Sequence, residues 1–333
     1  MLRFLTAGES HGLSEVAILE GMPAGLLISH EDINRELKKR MHDFGRGGRA
    51  KIETDEVKIL SGVRFGKTIG SPIALLVENR DQAKWEDKVT KPRPGHADLA
   101  GVLKYGFDDV RDVLERASAR ETVMRVAVGA VCKKFLNSEA REAMKQEIIN
   151  ARMQKDTLGG VVEIIAHNVP VGLGSYVHFD KRLDARVAQS LMSIPSIKAV
   201  EIGNAIAASQ KSGKEVQDVI TVEKNSIKRK TNNMGGIEGG ISNGEDIVVR
   251  VYHKSLSTIY DPLPTVNIQT RKPDVATVER SDVCVVARAG VVSESMMAFV
   301  LAESFLEKFG GDSMTETKRN FNSYIKHLKI KHV

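Results

Sequence analysis

The chain has 333 residues, of which 41% are hydrophobic and 28% are charged, and its net charge is +6. This length predicts two domains or one large layered unit. The sequence shows neither a run of roughly 18 apolar residues nor a secretory signal, so we expect a cytoplasmic protein without a membrane partner. Positive charge lies beside glycine and proline rather than along one helix face, and aromatic residues are scarce at 5%, which argues against a nucleic-acid partner and favours a small anionic ligand.

The predicted elements follow the same order in the two parts of the chain. In the first part a strand and turn at residues 14–29 precede a helix at 31–41, a strand at 55–63, an apolar strand at 73–77 and a long helix at 118–136. The second part repeats this order at residues 160–175, 180–194, 197–203, 247–251 and 291–309. Ser29 and Asp32 form a capping-box pattern at the start of the first helix.

The similarity between the two parts is clearest at one turn. The segment Pro23–Leu26 corresponds to Pro170–Leu173 at an offset of 147 residues. Chance similarity of short strand and helix units is the alternative explanation, because such patterns are common. We interpret the pattern as an internally duplicated unit of the α/β (α+β) class with pseudo-twofold organisation. Its repeats fall at about 1–150 and 151–320 of a single domain spanning 1–333.

Two histidines lie in tight settings of small residues. His11 stands between a serine and a glycine, and His96 follows a Pro-Gly pair two residues before Asp98. Imidazole exchanges protons near neutral pH, and a neighbouring carboxylate can orient one ring nitrogen. We therefore predict acid–base chemistry at both positions. A structural histidine in a turn, or at a helix start for His96, is the alternative.

Arginines near these histidines indicate an anionic ligand. Arg116 and Arg120 lie one helical turn apart before the first long helix, where their like charges repel each other. Helix amino ends attract anions, and a bound anion would relieve this repulsion. Arg46 and Arg49 lie in a glycine-rich loop that is either an exposed turn or a segment that folds over an anion.

The second part of the chain contributes three polar segments. The glycine-dense segment Asn232–Gly240 is either a flexible loop or a place where a flat ring or phosphate approaches the backbone. Lys254–Thr258 combines hydroxyls with an ammonium group suited to phosphate, and Arg280–Asp282 is expected to precede another strand. The two cysteines show neither disulfide nor metal-ligand spacing, so we predict no metal site.

Five ordered motifs make the chain similar to the chorismate synthase family nearly end to end. They are Gly8–Gly12, Arg93–Asp98, Ser118–Thr122, Thr231–Gly240 and Glu279–Asp282. The resemblance implies a helical layer between antiparallel sheets, a homotetramer, and conversion of 5-enolpyruvylshikimate 3-phosphate to chorismate with loss of phosphate. It also implies reduced FMN as the cofactor, with NADPH or an external flavin reductase as the source of reducing equivalents.

The resemblance further implies roles for individual residues. His11 would protonate the departing phosphate and His96 would stabilise the charge state of the flavin, while Ser10 and Asp282 would support proton transfer. The implied substrate-binding residues are Arg46, Arg49, Arg93, Arg120 and Arg280. The implied cofactor-binding residues are Arg40, Arg46, Arg116, Ala117, Ser118, Pro195, Ser196, Gly239, Lys254, Ser255, Leu256, Ser257, Thr258 and Arg280.

Two departures from the family pattern affect the predicted cofactor site: Ala117 replaces a serine and Ser255 replaces a proline. Two other functions stay open on the residues alone. One is a phosphosugar lyase or isomerase without flavin, which would turn over without reduced FMN. The other is a non-catalytic protein that binds polyanions with strong salt dependence.

Overall fold

The structure is a computed structural model that describes residues 1–41, 52–82, 85–136, 155–223, 226–279 and 282–332. The strands are β1 (Arg3–Gly8), β2 (Ser14–Glu20), β3 (Val57–Ile59), β4 (Val63–Arg64), β5 (Lys67–Thr68), β6 (Ile73–Glu78), β7 (Gly160–Ala166), β8 (Ile197–Ile202), β9 (Ile220–Glu223), β10 (Ser226–Arg229), β11 (Ile237–Glu238), β12 (Ile241–Ser242), β13 (Ile247–His253), β14 (Pro264–Val266) and β15 (Pro273–Val275). The helices are α1 (His30–Met41), α2 (Asp98–Tyr105), α3 (Arg111–Leu114), α4 (Thr122–Leu136), α5 (Leu183–Met192), α6 (Ala205–Ala208), α7 (Gly213–Val216), α8 (Val286–Phe309) and α9 (Met314–His332).

The first sheet has the strand order β1-β2-β6-β3, and all its pairs are antiparallel. Its inner face carries Ala17, Leu19 and Leu75, each at most 1% exposed, and it packs against α4. Ile18, on the opposite face of β2, is 44% exposed. This alternation is expected for an antiparallel sheet with one buried face.

The second sheet has the order β7-β13-β8 and is also antiparallel. Ile247, Val249 and Val251 of its central strand are fully buried. In the first sheet β6 lies between β2 and β3 in the same way that β13 lies between β7 and β8. The two parts of the chain therefore share one strand order and direction, and each sheet covers its own long helix, α4 or α8.

The helical layer joins the two sheets through the contact of α4 with α8. A Cβ atom at Gly129 would lie 2.3 Å from the Cβ of Ser295, so only glycine permits this approach. The buried amino group of Lys133 lies 2.7 Å from Glu36 of α1 and 2.9 Å from Glu294 of α8. Backbone proximity and a buried ion pair thus connect the two parts.

Several predicted elements differ in extent from the observed ones. The predicted strand at 55–63 is reduced to β3, and Gly62, with a left-handed φ of 80°, bends the chain before β4 begins at Val63. The strand expected after Arg280–Asp282 is wrong: the described chain enters helix α8 at Val286 instead. The helix predicted from 118 begins with a 3-10 turn, Ala119–Glu121, before α4. The predicted capping box is confirmed: the Ser29 N–H donates to Asp32 Oδ2 at 3.1 Å, and the Asp32 N–H to Ser29 Oγ at 3.3 Å.

The expectation that no segment has the length and apolar composition of a membrane-spanning helix is wrong for one helix. The segment Arg288–Phe309 of α8 is long and apolar enough to cross a membrane by composition. Most of it is buried inside the fold, where it packs against α4, α5 and β7. A core helix between two sheets is apolar for the same reason as a membrane helix, since both avoid water.

Candidate active site

A cavity of about 440 Å³ lies between the two parts of the chain, within the range of about 300–1,000 Å³ typical of small-molecule pockets. Fifteen of the predicted site residues line it: Ser10, His11, Arg40, Arg93, His96, Ala117, Ser118, Arg120, Pro195, Ser196, Lys254, Leu256, Ser257, Thr258 and Asp282. These residues come from segments up to 272 positions apart. The fold thus brings the predicted polar segments of both parts to one place.

Some predicted site residues do not line this cavity. Arg116 instead donates to the carbonyl oxygens of Thr6 at 3.1 Å and Gly8 at 3.2 Å. Gly239, at the β11–β12 turn, and Ser255 are also absent from its wall. Their cofactor contacts stay predictions. Arg46, Arg49 and Arg280 lie outside the described residues.

His11 is held by a buried carboxylate. Its Nδ1 lies 3.0 Å from both carboxylate oxygens of Glu115, and its backbone N–H donates to Glu115 Oε2 at 2.8 Å. Arg111 donates to the same carboxylate at 2.9 Å. Burial opposes ionisation of Glu115, but the hydrogen bonds from His11 and Arg111 outweigh it and lower the pKa of the carboxyl. Glu115 therefore orients the ring as an anion.

His96 has the same kind of partner. Its Nδ1 lies 2.5 Å from Asp98 Oδ1, which confirms the expected orienting role of this aspartate. Arg93 donates to both oxygens of Asp98, at 2.9 and 3.1 Å. Burial opposes ionisation of Asp98, yet the hydrogen bonds from His96 and Arg93 hold its pKa well below the ordinary value. Each histidine is thus fixed by a carboxylate that is itself bound to an arginine.

Two further arginines share one buried aspartate. Asp55 accepts from Arg40 at 2.9 Å and from Arg120 at 2.5 Å. Burial opposes ionisation of Asp55, but the two guanidinium groups outweigh it and lower its pKa. Burial also lowers the pKa of Arg40 to about 10, which still leaves it charged at neutral pH. The repulsion expected between Arg116 and Arg120 is relieved by carboxylates and carbonyls of the chain itself, without a ligand.

The described wall of the cavity is close to electrostatic balance. Its acidic members are Glu53, Asp55, Asp81, Glu279 and Asp282. Its basic members, histidines apart, are Arg40, Arg93, Arg120, Lys198, Lys254 and Arg288. Six cations therefore face five carboxylates among the described residues, so the wall provides directed hydrogen-bond donors but little excess positive charge.

The second part of the chain supplies hydroxyl and amino groups. Lys254 donates to Ser257 Oγ at 2.8 Å, and Arg93 donates to Thr258 at 3.2 Å across the cavity wall. Burial, followed by repulsion from Lys198, lowers the pKa of Lys254. Ser196 adopts a φ of 76°, a left-handed conformation that is uncommon for serine.

Sequence reasoning missed three functional groups here: Glu115, Asp55 and Arg288. Glu115 lies three residues before the predicted motif Ser118–Thr122, but its partner His11 is 104 residues away in sequence. Arg288 lies in the first turn of α8 and pairs with Asp282 at 2.9 Å. Its position at a helix start, like that of Arg120 before α4, was the available signal.

Comparisons with known proteins agree with this geometry. A sequence profile of the chorismate synthase family matches residues 2–140 and 137–306. The chorismate synthase of Geobacter sulfurreducens is 49% identical over 99% of this chain and 100% of its own length. That of Aquifex aeolicus is 46% identical over 98% of each chain. A crystal structure of a chorismate synthase has a TM-score of 0.79, with 40% identity over 98% of each chain.

A cavity with two oriented histidines and buried arginines is suited to an enzyme that transfers protons on an anionic small molecule. The duplicated arrangement of antiparallel sheets around helices agrees with the matched crystal structure over nearly the whole length. This chain belongs to the chorismate synthase family and is accordingly a lyase.

Proposed function

We propose that this chain catalyses the anti-1,4-elimination of phosphate from 5-enolpyruvylshikimate 3-phosphate to give chorismate, the last common step of aromatic amino-acid biosynthesis. In this reaction the carbon–oxygen bond to phosphate and one ring carbon–hydrogen bond break while a carbon–carbon double bond forms, so no net redox change occurs. The observation that carries the proposal is the convergence of His11, His96 and three buried arginines on one cavity.

The residues of the cavity fit bound FMN. Ala117 and Ala119 leave room beside the wall, and Ser118 and Lys254 offer donors for phosphate and carbonyl oxygens. The residues proposed to hold it are Arg40, Arg46, Arg116, Ala117, Ser118, Pro195, Ser196, Gly239, Lys254, Ser255, Leu256, Ser257, Thr258 and Arg280. When bound, reduced FMN would supply electron density that helps the phosphate leave and an acceptor for the unactivated ring hydrogen, for which ordinary side-chain bases are too weak.

The two histidines control protons in this proposal. Glu115 engages Nδ1 of His11, so the ring transfers a proton to the departing phosphate through Nε2. Asp98 engages Nδ1 of His96 in the same way, and His96 stabilises the charge of the flavin. Ser10 and Asp282 support proton transfer. Ser118 donates its hydroxyl to Ser10 at 3.1 Å, which orients that serine.

Binding of a substrate with one phosphate and two carboxylates needs more positive charge than the described wall supplies. Arg93 and Arg120 are already engaged by carboxylates of the chain. We propose that Arg46, Arg49 and Arg280 provide the remaining cations, as the family resemblance implies. Their guanidinium groups suit bidentate binding of phosphate and carboxylate.

One experiment tests the reaction. The full chain is incubated anaerobically with 5-enolpyruvylshikimate 3-phosphate and chemically reduced FMN, and chorismate absorbance and phosphate release are followed. We expect stoichiometric chorismate and phosphate. Product without any flavin would support a phosphosugar-type lyase, and no product with reduced FMN would refute the proposed activity.

The source of electrons is tested in a second arm with oxidised FMN and NADPH. Chorismate in that arm shows that the chain reduces its own flavin. Its absence, with product restored by an added flavin reductase, assigns reduction to an external partner.

We also propose a cytoplasmic homotetramer. The hairpin β9–β10 exposes Ile220, Val222 and Ile227, each more than half exposed, and Leu5 of β1 is 71% exposed. Apolar side chains that are exposed together on a sheet surface are typical of association sites. Light scattering coupled to size exclusion would give the mass of four chains if this assembly forms and that of one chain if it does not.

A further inference from the structure

A hydrogen-bonded pair, Ser196 and His253, lies at the cavity wall contributed by the second sheet. His253 is the last residue of β13 and only 6% exposed. Its Nδ1 lies 2.9 Å from Ser196 Oγ. Ser196 directly precedes β8 and lines the cavity, whereas His253 lies behind it. The histidine therefore contacts any ligand only through the serine.

The backbone fixes this pair. Ser196 has a φ of 76°, a left-handed conformation that is unfavourable for a residue other than glycine. Such a conformation persists only where the surroundings impose it. The Lys254 N–H donates to the Ser196 carbonyl at 2.9 Å, and Ile197 pairs with His253 in the sheet. These contacts hold the serine hydroxyl against the imidazole.

The surroundings of His253 decide which nitrogen carries the proton. Its Nε2 is buried and has no hydrogen-bond partner among the described residues. Burial lowers the pKa of His253 to about 4, so the neutral ring carries a single proton at neutral pH. On Nε2 that proton would be a buried donor without an acceptor, which is rare in proteins. On Nδ1 it reaches Ser196 Oγ.

If Nδ1–H donates to Ser196 Oγ, the serine hydroxyl must donate its own hydrogen elsewhere. Lys254 cannot accept that hydrogen, because its ammonium group only donates, as it does to Ser257 Oγ and the Ser255 carbonyl. We propose that His253 is a positioning residue that fixes Ser196 as a hydrogen-bond donor to an acceptor oxygen of the bound flavin mononucleotide. This inference rests on the proposed function and assigns a role to a side chain outside the cavity wall.

The first test reads the protonation of the ring without any ligand. Nitrogen-15 NMR of the histidine-labelled full chain distinguishes a protonated Nδ1 from a protonated Nε2. We expect the Nδ1–H form for His253, assigned by loss of its signals in His253→Asn. A protonated Nε2 would overturn the proposal.

The second test measures binding of oxidised FMN by quenching of flavin fluorescence. Ser196→Ala removes the donor and should weaken binding about tenfold, as one lost hydrogen bond of about 1.4 kcal/mol predicts. His253→Leu leaves the hydroxyl unoriented and should weaken binding about threefold. His253→Asn keeps an N–H near the position of Nδ1 and should restore wild-type affinity.

The double variant separates positioning from general damage to the fold. Because His253 acts through Ser196, the combination of Ser196→Ala with His253→Leu should bind FMN no more weakly than Ser196→Ala alone. Additive losses, or unchanged affinity in His253→Leu, would refute the role of His253. Failure of the wild-type chain to bind FMN would instead refute the proposed function. Thermal unfolding confirms that each variant is folded.

Discussion

The two repeats of this chain share one turn geometry. In the first, Thr68 donates its hydroxyl to the Pro23 carbonyl at 2.6 Å and accepts the Leu26 N–H at 2.9 Å. Ser242 makes the same two bonds, at 2.6 and 2.8 Å, to the segment Pro170–Leu173. Different residues, threonine and serine, thus supply one hydroxyl function. The hydrogen bonds that fix the backbone are what the two repeats have in common.

The repeats differ in their buried charges. Glu15 in β2 is 1% exposed, whereas the offset of 147 residues places Val162 at the matching position of β7. His11 and His96, with their carboxylates, belong to the first repeat, while Lys254 and the surrounding hydroxyls come from the second. The comparison teaches that the shared framework is kept by backbone contacts, and that the chemistry of the site arises where the side chains diverge.

The largest expected effect comes from breaking the ion pair that joins the repeats. Lys133→Met would remove the cation that Glu294 pairs with and one of the two lysines that Glu36 pairs with, leaving Lys39 at 2.7 Å from Glu36, so we expect a loss of about 3 kcal/mol in the free energy of unfolding, measured in urea. Lys134→Met is the matched control, because its pair with Asp32 is partly exposed, and it should lose less than about 1 kcal/mol. Equal losses in the two variants would show that the buried ion pair of Lys133 stabilises the fold no more than the partly exposed pair of Lys134.

The contrast between Glu15 and Val162 predicts a pH dependence of stability. Burial raises the pKa of Glu15 from 4.5 to about 7. The unfolded chain therefore releases this proton at lower pH than the folded chain, and the stability contributed by the protonated group is lost as the pH rises from 4.5 through 7. Glu15→Gln removes this loss and should be more stable than wild type by up to about 3 kcal/mol above about pH 8.

The control for that variant is Glu20→Gln on the same strand. Glu20 is exposed and pairs with Arg3, so its neutralisation should change stability by less than about 0.5 kcal/mol at any pH. Chemical denaturation at a series of pH values gives both curves. Parallel curves for wild type and Glu15→Gln would contradict the raised pKa.

The assignment of proton transfer to the first repeat is tested by alanine variants. His11→Ala and His96→Ala should each lower kcat about 10²-fold or more, equivalent to about 2.7 kcal/mol in the barrier. His167→Ala is the control, since this exposed histidine pairs with Asp246 and does not line the cavity. Wild-type turnover in either site variant would remove that histidine from the mechanism.

The smallest effect sharpens the similarity of the two turns. Thr68→Val and Ser242→Ala each remove one buried hydroxyl that both donates and accepts, so each should cost about 1–3 kcal/mol, and by closely similar amounts. Ser61→Ala removes an exposed hydroxyl bond to Pro72 and should cost less than about 0.5 kcal/mol. A large loss in only one of the two turns would show that they are not equivalent.

Local patterns in the sequence predicted much of this framework. The capping box at Ser29 and the order of strands and helices depend on residues close together in the chain, so they are readable from spacing. The motifs likewise led to fifteen residues that line the cavity. Long-range pairs were not readable: Asp55 and Arg120 are 65 residues apart, and nothing in either segment indicates the other.

The contact between Gly129 and Ser295 sets the spacing of the two long helices. Closely packed protein interiors resist gradual expansion, so the separation of these two helices cannot increase to fit a larger ligand. A change in the size of the bound molecule would therefore be accommodated by different loops at the rim of the cavity, rather than by a wider separation of α4 and α8. The same rigidity would give the floor of the pocket an almost identical shape whether or not anything is bound.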